Sequence, residues 1–254
     1  MVHKSTLVAP VFIALFVAAL SGCAHTPPAP PGTAQWNYPE NPNWGEDCQR
    51  IGMPQQSPVN LAATTPTPWP ATATVRQTAF VEHDQNVVLA PAITIVPAVG
   101  SSAAETYLAA GFHFHAPNEH VVPGRPQIEI HIKTSYGTGR TAVFAVLWEA
   151  DADAAADPFL TAALRSIHTP ATAVDVTPIF REFARLPFYS YEGSLTTPPC
   201  STNIRWYVIQ QPFKTSQESI RQLVNALVAE GKPVDNRRQP RPLSTSEVYL
   251  VRPN

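Results

Sequence analysis

The sequence predicts an α+β fold that is mainly β, with a large central, mostly antiparallel twisted sheet and a few peripheral helices. Short runs of alternating apolar and polar residues recur along the chain, a period typical of strands with one buried face. The chain has 28 prolines, yet 44% of its residues are hydrophobic. This composition indicates many turns around a large core and not disorder. Clear helix-start signals occur at two places.

The strand predictions depend on this alternation and on β-branched residues. Turn residues separate the runs at short intervals, which favours antiparallel pairing. The predicted strands are 74–76, 79–83, 87–90, 93–96, 106–115, 127–133, 141–148 and 202–210.

Two helices have recognisable first turns. Asp157 is a candidate N-cap and Pro158 follows it as a first-turn proline. Thr-Ser-Gln-Glu at 215–218 has the pattern of a capping box, and Gly231 ends the apolar periodicity that follows. We expect both helices to cover the sheet, and 178–186 to form a further short helical piece.

The N-terminus has the features of an export signal. Lys4 precedes an apolar run at 7–20, which is shorter than the roughly 20 residues that a membrane span needs. Leu-Ser-Gly-Cys at 20–23 resembles a bacterial lipobox, in which cleavage leaves Cys23 to be lipidated. An ordinary signal with an incidental cysteine is the alternative.

These features predict the domain organisation and the location. We expect a lipoprotein signal peptide at 1–22, a proline-rich tether at 23–33 and one domain at 34–254. The protein is then exported and held at the cell envelope through its lipid, on the periplasmic or outer-membrane side. The formal net charge is −2 and no basic stripe occurs, so we expect no nucleic-acid partner.

Alternating histidines form the candidate metal site. His113 and His115 are two residues apart in a predicted strand, so their rings share one face, while Phe112 and Phe114 share the other. The segment at 116–126, rich in proline, predicts a connection to an adjacent antiparallel strand.

That adjacent strand contains His131, with Glu129 and Lys133 on the same face. If the strands pair with His131 beside the first two histidines, three imidazoles converge, and three histidines with one open position are typical of catalytic zinc. Glu129 is then a candidate to accept the other ring N–H of His131. The alternatives are ordinary surface or core histidines, and a cupin-type barrel binding iron or manganese.

These residues belong to a set of motifs that resembles the alpha-class carbonic anhydrases, especially bacterial lipoproteins of that class. The resemblance extends from about residue 36 to the C-terminus, in the family's order. Its motifs are Gln-Ser-Pro-Val-Asn at 56–60, Phe-His-Phe-His at 112–115, Asn-Glu-His at 118–120, Glu-Ile-His at 129–131 and Tyr-Glu-Gly-Ser-Leu-Thr-Thr-Pro-Pro at 191–199. The family's Ser–Pro bond is often cis, so we expect a cis peptide before Pro58.

The resemblance implies reversible hydration of carbon dioxide to bicarbonate and a proton, by attack of a zinc-bound hydroxide. Zn²⁺ would be held by His113, His115 and His131. Thr196 would accept the hydrogen of the hydroxide and donate its own to Glu119, which fixes the orientation of the nucleophile.

The substrate side of the site follows from the same resemblance. Thr197 would contact bicarbonate, and Leu195, Val143 and Trp206 match the family's apolar substrate wall. The expected partners are therefore a small molecule, carbon dioxide or bicarbonate, and a membrane through the lipid at Cys23.

The remaining cysteines are Cys48 and Cys200. Two cysteines outside the cytoplasm usually pair, although two free buried thiols are the alternative. Bacterial members of the family carry a disulfide at matching positions, so the resemblance implies this bridge.

Three positions depart from the family pattern. Asn86 stands where the family has a proton-shuttle histidine, and Gly111 stands where a glutamine orients the first ligand. Lys133 replaces a small apolar residue of the substrate pocket, which we expect to shrink that pocket and to weaken sulphonamide inhibition. These departures support an alternative function, a carbonic-anhydrase-like surface or binding protein with weak or no activity.

Overall fold

The coordinates come from a computed structural model. It describes residues 37–40, 42–49, 55–69, 71–75, 80–81, 87–89, 92–97, 104–136, 141–169, 172–243 and 247–253. These residues belong to one compact unit, Gln35–Asn254. The predicted signal peptide, the tether, Cys23 and Asn86 lie outside the described residues.

Strands dominate the described part of the chain, and helices occupy short intervals between them. The strands are β1 Thr67–Trp69, β2 Ala71–Val75, β3 Phe80–Val81, β4 Val87–Leu89, β5 Ala92–Pro97, β6 Glu105–His115, β7 Ile128–Tyr136, β8 Thr141–Ala150, β9 Val174–Asp175, β10 Phe188–Ser194, β11 Thr202–Ile209, β12 Phe213–Thr215 and β13 Tyr249–Val251. The helices are α1 Glu46–Gln49, α2 Pro158–His168, α3 Thr177–Phe183 and α4 Gln217–Ala229, and Pro42–Trp44 forms a 3₁₀ turn.

Ten of the described strands form one twisted sheet. Their order is β1-β13-β10-β11-β8-β7-β6-β5-β2, with β12 also paired to β8, and β4-β3-β9 form a small second sheet. The run from β8 through β7, β6 and β5 to β2 is antiparallel throughout. This arrangement confirms the predicted fold class.

The sequence missed part of this architecture. The strand β10, which lies between β13 and β11, was not predicted, because it is buried on both faces and so lacks the alternation that identifies a half-buried strand. Three pairs are parallel, β11 with β8, β12 with β8 and β1 with β13. Strand order of this kind depends on contacts between distant segments, which local patterns do not encode.

The two faces of the sheet bury different cores. One face carries Phe112, Phe114 and the isoleucines of β7, which pack in a large cluster with residues of α2, α3 and α4. The other face carries a smaller cluster that includes Val143 and Trp206. Because side chains alternate across a strand, this division places the histidines of β6 and β7 on the face of the smaller cluster.

The helix starts agree only partly with prediction. Asp157 caps α2, since its side chain accepts a hydrogen bond from the Leu160 N–H at 2.9 Å. The capping box at 215–218 was wrong, because the N-cap of α4 is Ser216. Thr215 ends β12 instead, and its hydroxyl accepts a hydrogen bond from the Asp157 N–H at 3.1 Å. None of the described helices is long and apolar enough to cross a membrane.

Local backbone features near the N-terminal segment match two expectations. The Ser57–Pro58 peptide is cis, and Cys48 and Cys200 form a disulfide with a Cα–Cα distance of 5.2 Å. Both cysteines are fully buried beside Trp44. The bridge joins α1 to the turn that follows Thr196, across a sequence separation of 152.

Removing this bridge should destabilise the fold. A loop of this length restricts the unfolded chain, so the Cys48→Ser/Cys200→Ser variant should lose about 4 kcal/mol of unfolding free energy. Urea denaturation of the oxidised protein and the variant measures the difference. Reductant should lower the stability of the parent and leave the variant unchanged; a loss below about 1 kcal/mol would show that the bridge adds little.

Candidate metal centre

Two neighbouring strands, β6 and β7, place the candidate ligands on one face. In the register of β6 and β7, His113 lies opposite His131, and His115 lies opposite Glu129. On the other side of β7, His131 lies opposite Ala145 of β8. The small alanine leaves room above the sheet, so the imidazoles converge over the middle strand.

The three imidazoles are close enough to share one ion. Their ring centroids are 4.9 Å apart for His113 and His115, 5.2 Å for His113 and His131, and 4.5 Å for His115 and His131. One nitrogen from each ring can be chosen so that all three lie within 4.8 Å of one another. His115 and His131 are buried, and His113 is half-buried.

Hydrogen bonds to the outer nitrogens set the tautomers of two rings. The Nδ1–H of His115 donates to the carbonyl of Asn236 at 2.9 Å, and the Nε2–H of His131 donates to Glu129 at 2.8 Å. The inner nitrogens, Nε2 of His115 and Nδ1 of His131, therefore present lone pairs. Nε2 of His115 is buried with no hydrogen-bond partner among the described residues. A buried polar atom normally has a partner, so this nitrogen is a candidate metal ligand.

Burial keeps the rings of His115 and His131 neutral, and the neutral imidazole is the form that binds metals. Desolvation, with a contribution from His131, lowers the pKa of His115 to about 3. Burial also lowers the pKa of His131. The neutral rings of His115 and His131, together with His113 and an open cavity in front of them, fit a four-coordinate zinc ion that keeps one position for substrate or water.

Glu129 anchors the site from behind. Its Oε1 accepts hydrogen bonds from His131 at 2.8 Å and from Nδ1 of His120 at 2.6 Å. Its Oε2 accepts the backbone N–H groups of Glu119 and His120, both at 2.8 Å. Burial by itself raises the pKa of this carboxyl, but the two histidines offset it, so the pKa of Glu129 lies well below its usual range.

The hydrogen bonds that begin at Glu129 continue through His120 away from the cavity. Nε2 of His120 accepts a hydrogen bond from the Tyr191 hydroxyl at 2.6 Å, and Ser57 donates to Tyr191 at 2.9 Å. Burial raises the pKa of Tyr191 well above its usual range, so its hydroxyl remains a donor. His120 and Glu129 also lie in a second possible metal group with His131, but their facing atoms are already joined by hydrogen bonds.

Glu119 has the opposite electrostatic environment. Burial and the nearby Glu129 raise the pKa of Glu119 well above its usual range, while the backbone N–H of Arg238, 2.7 Å from Oε1, acts the other way. The Thr196 hydroxyl also lowers this pKa, yet Oε2 of Glu119 has no partner within hydrogen-bond geometry in the described chain. A bound dication nearby would favour the ionised form.

An apolar cavity of about 320 Å³ opens in front of the histidines. It contains every residue that the sequence assigned to the substrate side. Its lining includes Val143, Leu195, Thr196, Thr197 and Trp206 together with His113, His115 and His131. Thr196 is buried and stands in the turn that the Leu195 N–H closes on the carbonyl of Ser201 at 2.9 Å.

Sequence reasoning missed the contribution of Asn236. Its side chain accepts a hydrogen bond from the Ala116 N–H at 2.7 Å and donates to the carbonyl of Phe114 at 2.9 Å. Together with the bond to His115, these contacts hold the end of β6 in place. Asn236 lies outside the five motifs that carry the family resemblance, so they gave no signal for its role.

Arg238, two residues further along, was also missed. Its guanidinium is buried and donates to the carbonyls of Ser57 and Cys48, at 2.7 and 2.6 Å. Its backbone N–H binds Glu119. The arginine therefore ties the disulfide segment to the carboxylate beside the cavity.

Fold and site together define a class: a twisted-sheet protein with three histidines at the floor of an apolar cavity. The family model described as eukaryotic-type carbonic anhydrase matches residues 39–252, and the chain belongs to this family.

Relatives and solved structures agree with this assignment. Carbonic anhydrase from Pectobacterium atrosepticum is 38% identical over 130 residues, 48% of this chain and 52% of that protein, so the chain spans about half the length of this relative. Carbonic anhydrase from Klebsiella pneumoniae is 30% identical over 83% of this chain and 89% of that protein. The structure of carbonic anhydrase Cah3 from Chlamydomonas reinhardtii with acetazolamide is 25% identical, with TM-score 0.59, over 85% of this chain and 99% of that one.

The support of His131 by Glu129 can be tested directly. The Glu129 carboxylate accepts hydrogen bonds from four N–H groups, whereas the glutamine of a Glu129→Gln variant has only one acceptor oxygen. Because His131 then loses support, the variant should bind zinc roughly 10–100-fold more weakly. Competition with a chromogenic chelator measures the change. Glu218→Gln, on the exposed face of α4, should bind zinc as the parent does; equal affinity of all three proteins would rule out the supporting role.

Proposed function

We propose that this protein is a zinc-dependent carbonic anhydrase that hydrates carbon dioxide reversibly. The observation that carries the proposal is the convergence of three imidazoles on one apolar cavity, with the inner nitrogen of His115 buried and without a hydrogen-bond partner among the described residues. His113, His115 and His131 would hold the ion. When bound, zinc lowers the pKa of its water toward neutrality and so supplies hydroxide, an effect for which carbonic anhydrases are the standard example.

Thr196 and Glu119 would orient the nucleophile. Thr196 is buried in the cavity wall, and its hydroxyl is able to accept one hydrogen bond and donate another. Glu119 is held by the Arg238 N–H, and its other carboxylate oxygen has no hydrogen-bond partner among the residues that the structure describes. The Thr196 hydroxyl lowers the pKa of Glu119, as a donor to this carboxylate would. A threonine that donates to Glu119 would offer its own lone pair to the nucleophile and so fix the orientation of the nucleophile.

The opposite wall would receive carbon dioxide. Val143 and Trp206 are nearly completely buried, and Leu195 packs against the same cluster. An apolar surface binds a small neutral molecule without competing for hydrogen bonds and excludes water from the reacting atoms. Thr197, beside Thr196 in the lining, is placed to contact the bicarbonate product.

Alanine substitutions test the proposal. His131→Ala should lose zinc and carbon dioxide hydration together, whereas Thr196→Ala should keep zinc and lose about 100-fold in kcat/KM, because only orientation is removed. Stopped-flow hydration assays and zinc determination measure both. His168→Ala, an exposed histidine of α2, is the matched control, and a zinc-free wild type with no hydration activity would reject the proposal.

Proton transfer should limit turnover. Regenerating hydroxide requires a base with a pKa near the operating pH, and asparagine at position 86 supplies none. We therefore expect kcat to rise several-fold with imidazole buffers, and an Asn86→His variant to be faster in weak buffer. Turnover that is already near its maximum and independent of buffer would contradict this prediction.

We further propose that Cys23 is lipidated and that the enzyme acts at the cell envelope. The support is the Leu-Ser-Gly-Cys pattern at 20–23 after a short apolar run, followed by a proline-rich tether. The buried disulfide between Cys48 and Cys200 is consistent with an oxidising compartment.

A second candidate is a family member that binds ligands with little activity. Lys133 in the cavity lining favours it, because a charged side chain reduces the room for an apolar substrate. Zinc bound in stoichiometric amount without measurable hydration would support this candidate over the enzyme.

A further inference from the structure

A lysine interrupts an otherwise apolar row across the cavity wall. The pairings of adjacent strands align Gly111 of β6 with Lys133 of β7, and Lys133 with Val143 of β8. Val143 in turn aligns with Trp206 of β11. Since residues in register share a face, the four positions form one row on the face of the candidate ligands, and Lys133, Val143 and Trp206 of this row line the cavity.

Lys133 is directed into the cavity and has room there. It is two residues from His131 on the same strand, so both side chains point to the same face. The neighbour on β6 is glycine, which leaves space for the long lysine stem. Lys133 is half-buried and lines the cavity, and the Lys133 ammonium has no ion-pair partner among the described residues.

The charge of the lining is one-sided. Lys232 is a second lysine in the lining, and no aspartate or glutamate occurs among its described residues. A positive charge beside apolar walls acts through a lower dielectric than water, so its attraction for an anion is stronger than at an exposed surface. Carbon dioxide is neutral, whereas bicarbonate is an anion, so this charge discriminates between the two.

We propose that Lys133 makes the cavity an anion site and determines its preference for anions over neutral molecules. Bicarbonate and other small monovalent anions then bind more tightly than they would beside an all-apolar wall. The inference rests on the proposed function and adds a residue to it. The reaction equilibrium fixes the ratio of kcat/KM in the two directions. The charge of Lys133 therefore changes the KM for bicarbonate and the affinity for anions. It does not change the ratio of kcat/KM between the two directions.

Matched variants test the role of the charge. Lys133→Met removes the charge and keeps most of the length, Lys133→Arg keeps the charge, and Lys214→Met removes an exposed lysine that pairs with Asp151 and Glu149. The probe is thiocyanate, measured by inhibition of the zinc enzyme and by titration of the visible spectrum of cobalt-substituted protein. The spectrum reports binding without turnover.

We expect Lys133→Met to weaken thiocyanate binding about tenfold and to raise the KM for bicarbonate by a similar factor. A charge-assisted contact is of this order. Lys133→Arg should stay within about threefold of the parent, and Lys214→Met should not differ from it. If Lys133→Met does not fold, as judged by near-UV circular dichroism, Lys133→Gln replaces it in the comparison.

The outcomes separate the two proposals. Wild-type protein that binds neither zinc nor cobalt would overturn the proposed function and the anion site together. Wild-type protein that hydrates carbon dioxide, while Lys133→Met binds thiocyanate as tightly as the parent in both assays, would overturn the anion site alone. Equal losses in Lys133→Met and Lys214→Met would also overturn it, because they would indicate a general effect of net charge.

Discussion

The pairing of β6 with β7 is the constraint on which the site depends. It sets His113 opposite His131 and His115 opposite Glu129. A slip of one residue would turn His131 and Glu129 to the other face, into the large hydrophobic cluster, and would expose the isoleucines of β7 to the cavity. The large apolar core therefore does more than stabilise the sheet, because the burial of those isoleucines holds the candidate ligands in register.

Two buried carboxylates give the site its electrostatic character. Glu129 accepts four N–H groups, and its pKa lies well below the usual range, whereas burial near a like charge raises the pKa of Glu119. Two carboxylates with opposite environments are suited to different tasks. Glu129 is a fixed acceptor that orients rings, and Glu119 is a group whose ionisation depends on what binds in front of it.

Two of the three positions at which the sequence is expected to depart from the family pattern lie in one row across the sheet. Glycine at 111 and lysine at 133 are neighbours across two strands, so a residue without a side chain lies beside a long one. A charged wall above the three histidines would change which small molecules are favoured beside them, as we propose for bicarbonate. The sequence revealed both departures separately, and the register shows that they are one local rearrangement.

The direction of a side chain in a strand is a local property. Alternation in the sequence was therefore sufficient to place Phe112 and Phe114 on the face opposite the histidines and to choose the candidate ligands. It was also sufficient to predict the mainly antiparallel sheet. The tertiary structure alone decided that β10 lies between β13 and β11, that β11 runs parallel to β8, and that Asn236 and Arg238 support the site. The contacts of Asn236 and Arg238 join segments more than 100 residues apart in the chain, and the pairings of β10 with β13 and of β11 with β8 also join segments that are distant in sequence. Such contacts are selected by the packing of the whole core, and no local pattern encodes them.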